Sequence, residues 1–168
     1  MAVVTLRASS GLRRLAPFVL ALAACGGDPA PTSPAAQGAA PTRAAGFDAG
    51  PVKTAAEYLA EPELAGADFA RGEVLGFACA ACHRFRAHEG TLIGPHLEGV
   101  FGRTAGSVPG FNYSPALKES GLVWTPRSLE AWLANPSGFV EGTTMAFTGY
   151  RSADDRRDLI AYLLRATQ

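Results

Sequence analysis

Lysine is scarce in this chain of 168 residues, with Lys53 and Lys118 the only two. No lysine-rich or arginine-rich face stands out, which argues against nucleic acid as a partner. Long apolar runs are missing as well: Leu15 to Ala24 is too short to cross a bilayer as a helix. Strand-like alternation of apolar and polar residues stands out nowhere, so the pattern predicts helices and loops. Sulfur is also rare, at three cysteines and two methionines, one of them the initiator. What remains is a chain with a normal hydrophobic content of 48%, and 19 glycines and 12 prolines placed unevenly along it. That leaves room for one ordinary domain plus extensions.

Two of the three cysteines stand in Cys79-Ala80-Ala81-Cys82-His83. Two cysteines two residues apart, followed at once by histidine, form the attachment signature of c-type haem. Each thiol can add across one vinyl group of a porphyrin, and the ring nitrogen of His83 then lies under the iron. A thioredoxin-like redox pair has no need of the trailing histidine, and a zinc site needs further ligands that one leftover cysteine does not supply.

That leftover cysteine, Cys25, has another use. Arg7, Arg13 and Arg14 precede the apolar run, the arrangement of a secretory signal, and Leu22-Ala23-Ala24-Cys25 resembles a bacterial lipobox. Residues 1–24 are therefore expected to be removed and Cys25 to carry a diacylglycerol, giving an anchor with enough acyl chain to hold a membrane. The formal charge of the whole chain is zero, so loss of those arginines leaves a mildly acidic protein. Residues 25–52, rich in Pro, Ala and Gly, hold too few large apolar side chains to offset the entropy of ordering and read as a disordered tether. The expected address is the periplasmic face of a bacterial inner membrane.

The folded domain is expected over 53–168. Helices are predicted at Thr54 to Leu59, Pro62 to Ala78, after Ser114-Pro115, after Thr125-Pro126 and from Ser152 onward, with Ser152 to Asp155 as a capping box. Leu64, Phe69, Val74, Leu75 and Phe77 are candidate buried residues on the early helices, Leu129, Trp132 and Leu133 on a middle one, and Leu159, Ile160, Tyr162, Leu163 and Leu164 on the last. Gly90 to Gly110 reads as loops wrapped over something. This is a thin all-α core unless a large flat apolar cofactor fills its middle. For the far side of an iron, the residues offer Met145, His88 and His96. Met145 lies in the loop Gly142 to Phe147 and not on an apolar helix face, so a role as core filler is weak. His88 follows His83 so closely that its path to the other side is awkward.

From about Ala70 to the C-terminus the sequence resembles a class I cytochrome c of mitochondrial and alphaproteobacterial type. The resemblance is carried by the haem motif, Ile93 to Leu97, Gly99 to Arg103, Pro109 to Ser114, Trp124, Asn135-Pro136, Gly142 to Phe147 and Asp158 to Leu163. It implies an all-α fold of short helices and long loops around one covalent haem c. His83 and Met145 would ligate the iron, and the Pro95 carbonyl would accept the second N–H of His83. Arg103, Tyr113, Trp124 and Thr143 would hydrogen-bond or offset the haem propionates, Phe147 would pack near the haem edge, and His96 would not be a ligand. Three departures stand out. Leu117 replaces a frequent asparagine, Trp132 a usual tyrosine, and Gly76 a frequent aromatic for which Phe77 could substitute.

Iron ligated on both faces by protein has no open position for a small-molecule substrate, so the resemblance implies an electron carrier and not an enzyme. Its expected partners are a quinol-oxidising bc-type complex and a terminal oxidase. A haem sensor or peroxidase in which Met145 dissociates, and a fixed subunit of an oxidase or dehydrogenase, are the alternatives. Soluble relatives dock through a ring of lysines; here Lys53 and Lys118 are the only lysines, with Arg84, Arg86 and Arg103 nearer the motif, so the docking partner and its charge do not carry over from the resemblance.

Overall fold

A computed structural model describes residues 44–168. The expected signal peptide, the lipidated Cys25 and the tether as far as residue 43 lie outside the described residues. The helices are α1 (Ala55–Leu59), α2 (Phe69–Ala80), α3 (Pro115–Glu119), α4 (Pro126–Ala134), α5 (Pro136–Phe139) and α6 (Ala153–Ala166), with single 3-10 turns at Pro62–Leu64 and Ala87–Glu89. Among the described residues the only β pairing is one isolated antiparallel bridge, Thr104 to Val123. The fold is all-α.

Each helix begins where a short polar side chain can take an unpaired amide. Thr54, Asp68, Ser114, Thr125, Asn135 and Ser152 accept from the backbone three residues on, and proline follows immediately at α3, α4 and α5. At Ser152 the cap is made by its own side chain to Asp155 N, 3.2 Å. The expected single helix from Pro62 to Ala78 is two pieces. Gly66 turns the chain at φ +74°, and Asp68 caps a fresh start by accepting from Arg71 N at 3.0 Å.

Helices α2 and α6 make the most extensive helix pairing. Gly72 and Gly76, one turn apart, are the buried residues of α2. A Cβ at Gly76 would stand 2.7 Å from the Tyr162 ring, so that ring occupies the space a larger residue would need. Buried Asp158 adds a polar clasp. Its Oδ1 accepts from Asp68 N at 3.1 Å, and Arg157 lies at 3.2 Å. This pairing overturns two expectations. Phe77 does not substitute for an aromatic at Gly76, and Val74 is not buried, because the glycine face turns both outward to 68% and 64% exposure. Phe69 and Leu75 are partly buried and Leu64 is buried.

The folded part also reaches further back than Lys53. Ala44 is buried, its N–H donates to Phe139 O at 3.1 Å, and Phe47 packs edge-on against Phe139 at 5.1 Å. Thr125 Oγ1 donates to Ala49 O at 2.6 Å and Tyr58 Oη to Pro51 O at 2.9 Å. Residues 44–52 thus form a strap and not the end of a tether. The reason lies in their content: Phe47 supplies the apolar anchor that the preceding Pro- and Ala-rich stretch lacks.

Candidate cofactor site

Helix α2 delivers the cysteine motif. Cys79 sits in its last turn, and Cys82 N and His83 N both donate to Cys79 O, at 3.0 and 2.9 Å, which curls the motif into one tight turn. Burial pushes the Cys79 thiol up to about 11. That is the reverse of a redox-active pair, which depends on a stabilised thiolate. Among the described residues no three His, Cys, Asp or Glu side chains gather as a metal cluster.

His83 is oriented by its neighbour. Its Nδ1 lies 2.7 Å from Pro95 O. A carbonyl can only accept, so Nδ1 carries the proton and the lone pair is left on Nε2. Burial lowers the His83 pKa and the Arg103 charge adds to this, against the opposing Pro95 hydrogen bond. Both ring nitrogens are thereby set for binding a metal through Nε2 in the neutral form. Gly94 completes the arrangement. A Cβ there would fall 2.6 Å from His83 Nδ1, so the imidazole rests on bare backbone, and Gly94 N donates to Cys82 O at 2.7 Å. The glycine directly before Pro95 is the local sequence signal for this close approach.

Cys79, Cys82, His83, Pro95, Arg103, Tyr113, Trp124, Thr143 and Met145 all line one cavity. Its walls are otherwise largely apolar, with Leu117, Leu129, Trp132, Leu133, Phe147 and Leu163 among them. Trp124 and Trp132 meet edge-on at 5.3 Å, as do Phe111 and Tyr113 at 4.7 Å. His88 and His96 are absent from the lining. His88 lies exposed in the 3-10 turn, while the backbone carbonyl of His96 accepts from Arg103 at 3.0 Å.

Arg103 is held by backbone on both sides. Its guanidinium donates to Glu98 O at 2.8 Å as well as to His96 O. Gly102 N donates to Trp124 O at 2.7 Å and Trp124 N to Arg103 O at 2.9 Å, which fixes Arg103 beside the indole. Among the described residues no carboxylate lies within ion-pairing distance of it. A half-buried cation without an acidic partner suits an anionic edge on whatever fills the cavity. Burial also holds the Tyr113 phenol above its ordinary pKa, against the pull of the Val108 backbone and Arg103. A flat apolar group with two attachment points, an imidazole on its metal and carboxylates at its rim fits this donor set.

Similarity to known proteins agrees. The chain is 42% identical over 106 residues to a cytochrome c of Gibberella zeae, covering 62% of this chain and all of that one. The chain belongs to the cytochrome c family. It is also 46% identical over 90 residues to a cytochrome c of Cochliobolus lunatus, covering 54% of this chain and 83% of the relative. A cytochrome c type-1 of Ascaris suum is 43% identical over 103 residues, which is 61% of this chain and 91% of the relative. No family model matches the chain. As a class I cytochrome c it is a monohaem electron carrier with one covalent haem c, ligated by histidine and methionine. When bound, that group supplies reversible one-electron chemistry at iron.

Proposed function

We propose that this protein carries single electrons at the periplasmic face of a bacterial inner membrane, held there by a lipid on Cys25 after removal of residues 1–24. The electrons come from a quinol-oxidising complex of bc type and go to a terminal oxidase. Cys79 and Cys82 bind the haem covalently, His83 and Met145 take the two faces of the iron, and Pro95 orients His83. Arg103, Tyr113, Trp124 and Thr143 receive the propionates.

The observation that carries this reading is the fixed tautomer of His83, with Nε2 left for iron in a cavity that Met145 also lines. With both axial positions filled from the chain, single electrons can pass but no substrate can bind. Met145 N donates to Thr143 Oγ1 at 3.3 Å, which ties the methionine to the loop at the rim. The anchor is supported by the lipobox-like residues Leu22 to Cys25.

Membranes expressing the wild type and a Cys25→Ser variant test both halves. Wild type is expected in the membrane fraction, reduced by quinol and reoxidised by oxygen, whereas the variant is expected in the soluble fraction with its haem intact. Rapid stoichiometric binding of carbon monoxide to the reduced protein would instead favour a sensor or peroxidase. A variant that stays in the membrane would refute the anchor.

A further inference from the structure

The strap at residues 44–52 begins against α5, and α5 runs directly into the loop that carries Met145. Ala44 N donates to Phe139 O at 3.1 Å, and the Phe47 ring meets the Phe139 ring edge-on at 5.1 Å. The Arg127 guanidinium of α4 also lies over the Phe47 ring, 5.9 Å from its centroid, and Asp48 pairs with it at 3.2 Å. Phe47 is thus held by both α4 and α5.

What α5 supports is the Met145 loop. Helix α5 is a single turn of four residues, too short to hold itself, so its place depends on what packs against Phe139. Val140 follows, fully buried, and its carbonyl accepts from Thr143 N at 3.1 Å. Thr143 Oγ1 accepts in turn from Met145 N at 3.3 Å. Glu141, Gly142, Thr144 and Ala146 are exposed, so the loop takes its firmness from its two ends. The far end is held by Tyr150, whose N–H donates to Leu133 O at 2.8 Å and whose hydroxyl donates to Leu75 O at 2.9 Å. The near end is held by Phe139 and Val140, and through Phe139 by the strap.

We propose that Phe47 is a positioning residue for the distal iron ligand: by seating Phe139 it keeps Met145 in place, so the strap also guards the sixth coordination position. The inference rests on the reading of Met145 as ligand and adds the element that holds it there. Release of the strap leaves the rest of the pocket folded but lets the loop swing out, and a competing donor then reaches the iron more often. The apparent affinity of that donor scales with the fraction of open loop.

The test is a titration of ferric full-length holoprotein with free imidazole, a neutral donor at about pH 8. It is followed by haem absorbance and by loss of the weak long-wavelength band of sulfur bound to iron. Phe47→Ala is expected to bind imidazole about tenfold more tightly than wild type. Phe47→Leu, which keeps an apolar anchor, should return to within about twofold of wild type, and Phe47→Val should fall between the two. Phe47→Val decides the question if the alanine variant yields no holoprotein. Tyr58→Phe separates positioning from general softening. It removes the hydroxyl that joins Lys53 N and Pro51 O, at 3.0 and 2.9 Å, and should lower the unfolding temperature without changing imidazole affinity. Unchanged affinity in Phe47→Ala and Phe47→Val, or an equal gain in Tyr58→Phe, overturns the proposal while the ligand reading stands. A wild type without the long-wavelength band refutes the ligand reading itself, and this inference with it.

Discussion

Replacing Gly72 by alanine is the sharpest stability test of the α2–α6 crossing. In an exposed helix interior the change would help, because alanine is favoured over glycine by about 1 kcal/mol. Here the new Cβ would lie 2.7 Å from the Asp158 carbonyl carbon and 2.8 Å from Tyr162 Cβ, where ordinary contacts are 3.4–4 Å. The obstacle is backbone in the middle of α6, which cannot rotate away, so the helices must separate. Overpacking of this kind costs about 1–3 kcal/mol, and a backbone obstacle puts it at or above the upper end. After the propensity gain, a net loss of about 2 kcal/mol is expected, or about 5–10 °C in Tm for a domain of this size. Gly76→Ala should cost less, since it meets the edge of the Tyr162 ring, a side chain able to swing. Tyr162→Leu should then rescue Gly76→Ala and leave Gly72→Ala unrescued. Thermal unfolding of the holoproteins, read by circular dichroism and haem absorbance, measures all four variants. A Gly72→Ala protein as stable as wild type would refute the close crossing.

Leu117 is buried in the cavity wall, so Leu117→Asn would bring a dipole close to a haem iron held there. A polar group favours the more highly charged oxidised state, so the midpoint potential should fall in a redox titration; an unchanged value contradicts the dry pocket. Phe47→Ala removes the edge-on contact with Phe139 and should lower stability by about 1–2 kcal/mol in a denaturant titration. Full stability would mean that residues 44–52 are not a strap. Gly94→Ala should displace His83, visible as a shifted spectrum or poor haem incorporation during maturation, and normal holoprotein would remove the argument for bare backbone there.

The site was more legible in the sequence than the packing that supports it. Cysteine spacing, the trailing histidine and a lone methionine in a loop are local signals, each tied to one chemical requirement. The helix starts were equally local, since Ser114-Pro115 and Thr125-Pro126 carry both a cap and a fixed φ. What depended on a second element was not legible. Gly72 and Gly76 look like weaknesses in a helix until α6 is laid across them, and only then does Phe77 have to point outward. Gly66 and Asp68 are read as part of a continuous helix unless the cap at Arg71 N is known. Phe47 belongs to a proline-rich stretch by composition, and only Phe139, far along the chain, gives it a place. Arg103 owes its role to carbonyls of the loop before it, which residue type alone does not reveal.

The most direct measurement is the absorption spectrum of the purified protein after expression with a working haem-attachment apparatus. Haem that stays with the polypeptide in the pyridine derivative, together with the weak long-wavelength band of sulfur bound to ferric iron, is the expected result, and Met145→Ala should abolish that band alone. A colourless protein, or haem that extracts into acid solvent, would contradict covalent attachment at Cys79 and Cys82; a band that survives Met145→Ala would contradict the ligand.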